Sequence, residues 1–194
     1  MLYCYEMNNL TKVIMMSKRV FLRPLDLTDL QRIYQWHNDA QLYSTLTGPY
    51  HPVGMQAIEQ WLTDRVQYSE KEINFAICLT ESSEHIGNMY LREIDYVSRN
   101  ALLGAFIGNQ EHRGKGYASE ALLQVAEYAF YVLGLNRLYM YVLADNAGAV
   151  KHLQKCGFLV EGTMREHSFK NGKFKDVLIF GMCESDYKEH NNTI

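Results

Sequence analysis

The hydrophobic pattern of the chain changes its period at Tyr117, and this change constrains the fold more than any other feature. Before it lie three apolar, strand-like segments separated only by polar turns, at residues 73–79, 86–95 and 101–108. After it, apolar residues recur at helical spacing over residues 118–133, and Gly134 supplies a C-terminal cap. The sequence therefore predicts an antiparallel meander that leads directly into a long helix.

The other segments predict strands interrupted by helices. Asn171-Gly172 is a strong signal for a hairpin between two long strands, and the segment 137–143 is apolar on both faces, as a central strand covered on both sides would be. Helices are predicted from Asp26, over residues 54–67, and from Asp145 or Asn146 to Gly157. The predicted fold class is α/β in the α+β sense, a mixed and mostly antiparallel sheet with helices on its faces.

The composition predicts one domain. The chain has 194 residues, of which 47% are hydrophobic, and it contains no internal repeat and no linker rich in proline, glycine or serine. The stretch "MMSKRVFLRP" resembles a natural beginning, so residues 1–16 are predicted to be an extension, disordered or partner-docking. The domain is expected to span 17–188, with a polar tail at 189–194.

The charge balance and the cysteines exclude several functional classes. Nineteen basic and 22 acidic residues give a net charge of -3, so no positive field attracts nucleic acid or a membrane surface. The four cysteines are scattered, and the seven histidines show no metal-binding spacing, which predicts reduced thiols and no metal. No apolar run has the length of a membrane span or a signal peptide, so we expect a cytoplasmic protein.

The stretch "NQEHRGKGYASEAL", residues 109–122, precedes the long helix and has the composition of an anion site. The first turn of a helix has unpaired amides and a partial positive charge. Gly114 and Gly116 allow backbone amides to converge on a ligand, and Arg113 and Lys115 add positive charge. This pattern predicts a phosphate or pyrophosphate ligand, although a glycine-rich turn can also serve only to reverse the chain.

Spacing separates three phosphate-binding motifs. A P-loop needs Ser or Thr after Gly-Lys, and a dinucleotide fingerprint needs Gly or Ala where this chain has Ser119. The pattern that fits is Arg-x-x-Gly-x-Ala, formed by Arg113, Gly116 and Ala118. A second segment, "VLADNAGAVKHLQKCGF" at 142–158, ends a strand, begins a short helix at Asn146 and closes with Lys-x-Gly-Phe.

Together the two motifs resemble those of the GNAT superfamily of acyl-CoA-dependent N-acetyltransferases. The resemblance implies a sheet splayed near its middle, between the strand ending at Gly108 and the strand 137–143, with pantetheine in the gap as an added strand. A backbone N–H of Phe106 or Ile107 would then donate to the thioester oxygen. The implied acetyl-CoA site comprises Phe106, Ile107, Gly108, Arg113, Gly114, Lys115, Gly116, Tyr117, Ala118, Asn146 and Ala149.

By the same resemblance the reaction is direct transfer of an acetyl group to a primary amine in a ternary complex, with Asn146 among the catalytic residues. A carboxylate would take the proton of the amine, and the candidates are Glu93, Asp95 and Glu166, each of which also suits a solvated strand or turn. Leu153 occupies the position where many members have a tyrosine acid. That feature indicates the ribosomal-protein N-terminal acetyltransferase-like subgroup, and Tyr141 and Cys156 are substitute acids or core residues.

The segment "IYQWHNDAQLYSTLTGPY" resembles the helix and loop on the acceptor side of the site. The resemblance places Trp36, Tyr43 and Tyr50 at the mouth of the acceptor site, although Trp36 also fits the inward face of an amphipathic helix. The expected acceptor is a small-molecule amine or a protein N-terminus, and the expected assembly includes a homodimer. Two other hypotheses are a catalytically weak acyl-CoA-binding regulatory module, which the missing tyrosine favours, and a nucleotide-binding scaffold, which both failed motif spacings oppose.

Overall fold

The computed structural model describes residues 15–193, and residues 1–14 and 194 lie outside the described part. The strands are Met15–Met16 (β1), Val20–Pro24 (β2), Ile73–Leu79 (β3), His85–Asp95 (β4), Asn100–Ile107 (β5), Arg137–Leu143 (β6), Leu159–Lys170 (β7) and Lys173–Cys183 (β8). The helices are Leu30–His37 (α1), Ala40–Tyr43 (α2), Met55–Arg65 (α3), Tyr117–Tyr131 (α4), Ala147–Lys155 (α5) and Glu184–Thr193 (α6). None of these helices is long and apolar enough to cross a bilayer.

The strands form one eight-stranded sheet in the order β1-β2-β3-β4-β5-β6-β8-β7. All neighbours are antiparallel except β5 and β6, which are parallel and pair only from Asn100 with Arg137 to Leu102 with Tyr139. Beyond this rung β6 continues to Leu143 beside β8, while the rest of β5 has no partner in β6. The predicted mixed sheet, splayed near its middle, is confirmed.

The sheet has helices on both faces, and they cover different strands. On the first face, α4 and α5 pack against residues such as Leu91, Leu103 and Met140 in the larger core. On the second face, α1 and α3 form a smaller core over Ala76 and Cys78. Burial of these apolar side chains is the main force holding the layers together.

One prediction about β6 is wrong. This strand was expected to be covered on both faces, but only its first-face residues and Leu143 are buried, and Tyr141 on the second face is 40% exposed. Since α1 and α3 pack beside β2 and β3, the second face of β6 has no helical cover. Tyr141 is therefore not a core residue, whereas Cys156 is buried in the larger core as expected.

The hairpin, the C-terminal segment and the N-terminal segment can each be compared with the predictions. Asn171 and Gly172 both have positive φ, of 50° and 75°, which the tight turn between β7 and β8 requires. The predicted polar tail from 189 is instead helical as far as Thr193. Helix α6 is anchored because Tyr187 is buried against Phe130. Of the predicted extension, only Met15 and Met16 are described, and they pair with β2.

A buried ion network ties β2, the turn before α1 and β4 together. The Arg23 guanidinium donates to both carboxylate oxygens of Asp29, at 2.7 and 2.6 Å, and His85 Nδ1 lies 3.0 Å from the same carboxylate. Burial acts to raise the pKa of Asp29, but the hydrogen bonds from Arg23 and His85 outweigh burial and hold that pKa well below its usual range. The ionised Asp29 therefore stabilises the fold at neutral pH.

The Asp29→Asn variant is expected to lose about 3–5 kcal/mol of unfolding free energy at pH 7, because it leaves the buried Arg23 charge uncompensated. A carboxyl with a depressed folded pKa contributes stability above its unfolded pKa, near 4, and that contribution is lost as the pH falls further. Urea unfolding of the wild type should therefore show a steeper loss below about pH 4 than the variant shows. Asp64→Asn, at an exposed position of α3, is the matched control.

Candidate active site

The loop before α4 presents a set of free backbone amides. Gly114 and Gly116 have φ of 74° and 84°, the left-handed conformations that bring successive N–H groups to one point. Among residues 15–193, the amides from Gly114 to Ala118 donate to no protein acceptor, while Ser119 N already bonds to Gly116 O inside the helix. The loop therefore fits a pyrophosphate group at the positive end of α4.

The Arg113 side chain is hydrogen-bonded within the protein. Its guanidinium donates to Ile107 O at 3.0 Å and Gly108 O at 2.6 Å, and it lies 3.5 Å from the Asp39 carboxylate. The side chain is therefore turned back onto the end of β5, because the carbonyls of this unpaired strand end need donors. Arg113 holds the loop against the sheet, and Lys115 is the exposed cation of the loop.

Arg19, which the motif analysis missed, is a second cation at this loop. It donates to Lys115 O at 3.0 Å, pairs with Glu120 in the first turn of α4, and lies 5.1 Å from the centre of the Tyr117 ring. Arg19 is nearly 100 residues away in sequence, so only the packing of β2 beside α4 brings it here. A cation so placed adds to the positive field at the amides.

The free edge of β5 can be assigned from its hydrogen bonds. Gly108 N donates to Ile86 O at 2.9 Å, so the backbone N–H of Gly108 points toward β4. Because N–H directions alternate along a strand, the N–H of Phe106 points toward β4 as well. The N–H groups of Ala105 and Ile107 therefore point the other way, into the opening beside β6. Of the two predicted donors to the thioester oxygen, the Ile107 amide is directed into the opening and the Phe106 amide is not.

Helix α5 shows why two predicted residues have structural roles. The Asn146 side chain accepts from Ala149 N and donates to Thr45 O, both at 3.1 Å, so it caps the helix and holds the loop after α2. These bonds give the side chain of Asn146 and the amide of Ala149 a structural role, and the predicted roles of both residues at the cofactor stay predictions. Leu153, at the position of the missing tyrosine, is buried at 2% exposure.

A contact between α4 and α5 was not predicted. Ser119 Oγ lies 2.6 Å from His152 Nδ1, and burial lowers the pKa of His152. The imidazole is therefore neutral at physiological pH and bridges the two helices that begin on either side of the opening. The spacing between these residues gave no indication of the pair, because it depends on how the helices pack.

The predicted acceptor residues separate in the structure. Trp36 is 4% exposed, its ring lies against Gly108 and Phe106, and Nε1 donates to Asn109 Oδ1 at 3.2 Å. It supports the end of β5 and does not line an opening, as its position on the inward face of α1 dictates. Tyr43 and Tyr50 are partly exposed on the second face, with ring centres 5.7 Å apart.

A bulge in β4 places one of the three candidate bases on the second face, beside the last residues that β5 and β6 pair. Arg92 pairs with Leu102 of β5, and Asp95 pairs with Asn100 of β5. The two β4 residues between them, Glu93 and Ile94, therefore lie opposite a single β5 residue, Ala101. Glu93 takes a φ of 52° there, and its carboxylate accepts from Tyr139 Oη at 2.8 Å. Bulges re-aim side chains in this way. Glu93 therefore lies on the second face, near the place where β5 and β6 diverge.

The other two candidates are placed elsewhere. The Asp95 carboxylate accepts from the amides of Val97 and Ser98, at 2.8 and 2.9 Å, and the bond from Ser98 lowers its pKa. Asp95 therefore stabilises the turn between β4 and β5. Glu166 is exposed on β7, which β8 separates from β6 and from the opening. Neither side chain meets the splayed edge through a hydrogen bond in the described part of the chain.

Comparison with known proteins agrees with this geometry. The family model described as the Acetyltransferase (GNAT) domain matches residues 19–159. Spermidine N(1)-acetyltransferase of Vibrio cholerae is 30% identical over 173 residues, covering 89% of this chain and 97% of the relative. Spermidine N(1)-acetyltransferase of Escherichia coli K12 is 29% identical over 175 residues, covering 90% and 91%.

A solved structure is also similar. The crystal structure of spermidine N-acetyltransferase from Vibrio cholerae in complex with CoA and spermine superposes with a TM-score of 0.81 at 28% identity, covering 89% of this chain and 99% of that one. The chain belongs to the GNAT acetyltransferase family, and the family prediction is confirmed. It is an acyl-CoA-dependent N-acetyltransferase that uses acetyl-CoA as the acetyl donor.

The Gly116→Val variant is expected to lose measurable CoA binding, because a branched side chain opposes a φ of 84° and would crowd Arg19 Nη2, 3.2 Å from the added Cβ. The matched control is Gly172→Val, which imposes similar backbone strain at the hairpin, where nothing lies within 4 Å. Titration calorimetry with CoA and thermal unfolding should show two destabilised proteins, of which only the control binds. CoA binding by both variants would contradict the assignment of the loop.

Proposed function

We propose that the acceptor amine approaches the acetyl thioester from the second face of the sheet and that Glu93 takes its proton through water bound along that face. The observation that carries this proposal is the β4 bulge, which directs Glu93 to the second face opposite Ala101, one residue before the last rung that β5 and β6 share. The second face is the one that the helices leave open beside β6. An approach from this side leaves the first face to the loop before α4, α5 and the cofactor.

The proposed chemistry is a direct transfer. An alkylamine is mostly protonated at neutral pH, so a carboxylate near the opening must accept a proton before the nitrogen can attack. The amine nitrogen then forms a bond to the acetyl carbon while the carbon–sulfur bond breaks. The acylated nitrogen releases its extra proton to water, and the departing thiolate takes a proton from water. The Ile107 amide is positioned to donate to the acetyl oxygen as its negative charge grows.

The missing tyrosine acid is compatible with this chemistry. A thiol has a pKa of about 8.5, so its anion leaves without strong help from an acid. Burial, together with the hydrogen bond to Glu93, raises the pKa of Tyr139 to about 12, which makes its phenol a poor proton donor to sulfur. We assign Tyr139 to the orientation of the Glu93 carboxylate. The buried Leu153 contributes packing alone.

The identity of the acceptor defines the first experiment. Relatives named for spermidine support amines as acceptors, and protein N-termini stay within the same chemistry. Incubation with acetyl-CoA and a mixed amine library, read by free-thiol release and by mass spectrometry, should give one product with the mass of one added acetyl group. Tight CoA binding without turnover of any amine would instead favour the acyl-CoA-binding regulatory module.

The Glu93→Gln variant should lower kcat by roughly 10²–10⁴-fold at neutral pH, the usual contribution of a general base. The KM for acetyl-CoA should stay unchanged, because the residue lies away from the loop before α4. Glu166→Gln removes an exposed carboxylate from β7 and serves as the control, with activity close to that of the wild type. Steady-state kinetics at several pH values measure both effects. Full activity of Glu93→Gln would assign the proton transfer to another group.

A further inference from the structure

The second face beside the opening carries an arginine with unused hydrogen-bond donors. Arg92 is aligned with Leu102 and Tyr139 across three strands, at the last rung before β5 and β6 separate. Its Nε donates to Glu72 at 2.9 Å, and its side chain is 31% exposed. Among residues 15–193, neither terminal nitrogen of its guanidinium has a hydrogen-bond partner.

The guanidinium is held by an aromatic platform. It lies 4.0 Å from the centre of the Tyr90 ring, and that ring lies directly over Gly104, where any Cβ would collide with it. Gly104 is in the part of β5 that has no partner in β6, so the platform borders the opening. Stacking on Tyr90 and the bond to Glu72 fix the plane of Arg92 and leave its outer edge free.

The charges around this edge do not suit a polycation. Arg65 lies 3.3 Å from the Glu72 carboxylate that Arg92 also contacts, so two arginines share one acid. Burial, together with the charges of Arg65 and Arg92, lowers the pKa of His37, which keeps the ring uncharged at neutral pH. Besides Glu72, this part of the second face carries the carboxylate of Glu93, the proposed base, which the β4 bulge places there.

We propose that Arg92 binds an oxyanion of the acceptor, so that the acceptor is a primary amine that also carries a carboxylate or a phosphate. This inference rests on the proposed function, since it places the acceptor on the second face, where Glu93 takes the proton of its amine. Arg92 and Glu93 are consecutive, and the bulge presents both side chains on one face, so a single small molecule can reach both. A guanidinium fork with a fixed plane matches either oxyanion.

The test uses acceptors matched in length. Straight-chain ω-amino carboxylates of two to six carbons are compared with their amides, with the corresponding diamines and aminoalkyl phosphates, and with spermidine. The carboxylate or the phosphate should exceed its amide in kcat/KM by about 10- to 100-fold at one chain length, the range expected of a charge-assisted hydrogen bond. Which of the two anions is preferred identifies the oxyanion.

Variants of Arg92 test whether this residue causes the preference for an anionic acceptor. Arg92→Gln should remove the advantage of the anion while leaving kcat/KM for the amide and the KM for acetyl-CoA within about 3-fold, because Glu72 keeps Arg65 as its partner. Arg92→Lys keeps the charge without the fork and should retain only part of the advantage. Arg165→Gln makes the same charge change on exposed β7 and should behave as the wild type.

Some results of these experiments would contradict only the role of Arg92, and another would contradict the proposed function as well. Equal or faster acetylation of the amides, the diamines or spermidine at every chain length would overturn the role of Arg92 and leave the acetyltransferase activity intact. An anion preference that survives in Arg92→Gln would also overturn it. Absence of turnover with every acceptor, in a protein that binds acetyl-CoA, would contradict the proposed function and this inference with it.

Discussion

The site depends on the early separation of two parallel strands. β5 and β6 pair over three residues and then part, and the remaining backbone groups of β5 on that side have no partner in the sheet. Unpaired strand edges are costly when buried and attract an added strand when open. Here the edge ends next to a loop of free amides, and Arg113 links the two by donating to the last carbonyls of β5. A ligand that is extended at one end and anionic at the other fits this arrangement.

The same separation explains why the two faces have different chemistry. Helices α4 and α5 cover the first face, and the N-terminus of α4 supplies free amides and a positive dipole, which suit the phosphates of a cofactor. The second face beside β6 has no helix, so polar and aromatic side chains such as Tyr90, Arg92 and Tyr139 can remain partly solvated there. The bulge in β4 adds Glu93 to this face. In the proposed function, donor and acceptor therefore reach one opening from opposite sides of a single sheet.

Features that depend on interactions between neighbouring residues could be predicted from the sequence, whereas features that depend on long-range packing could not. The turn at Asn171-Gly172, the cap at Asn146 and the positive φ of Gly116 are local properties, and each was predicted from a few neighbouring letters. Trp36 was predicted at the acceptor site by resemblance alone, and packing buries it beneath Gly108. The second face of β6 was wrongly predicted to be covered because Tyr139 and Tyr141 are apolar enough to be buried. Composition does not show which strands a helix will cover.

The sequence by itself determined the element types, the glycine-rich turn before α4 and the family, because periodicity, caps and glycine conformations act within a few residues of the chain. Only the tertiary structure decided which of Glu93, Asp95 and Glu166 lies on the second face near the opening, since that choice depends on strand register and on one bulge. It also brought Arg19 to the loop and set Arg92 on Tyr90 at the edge of the opening. These placements follow from how strands and helices far apart in sequence pack together, and no short stretch of sequence encodes that packing.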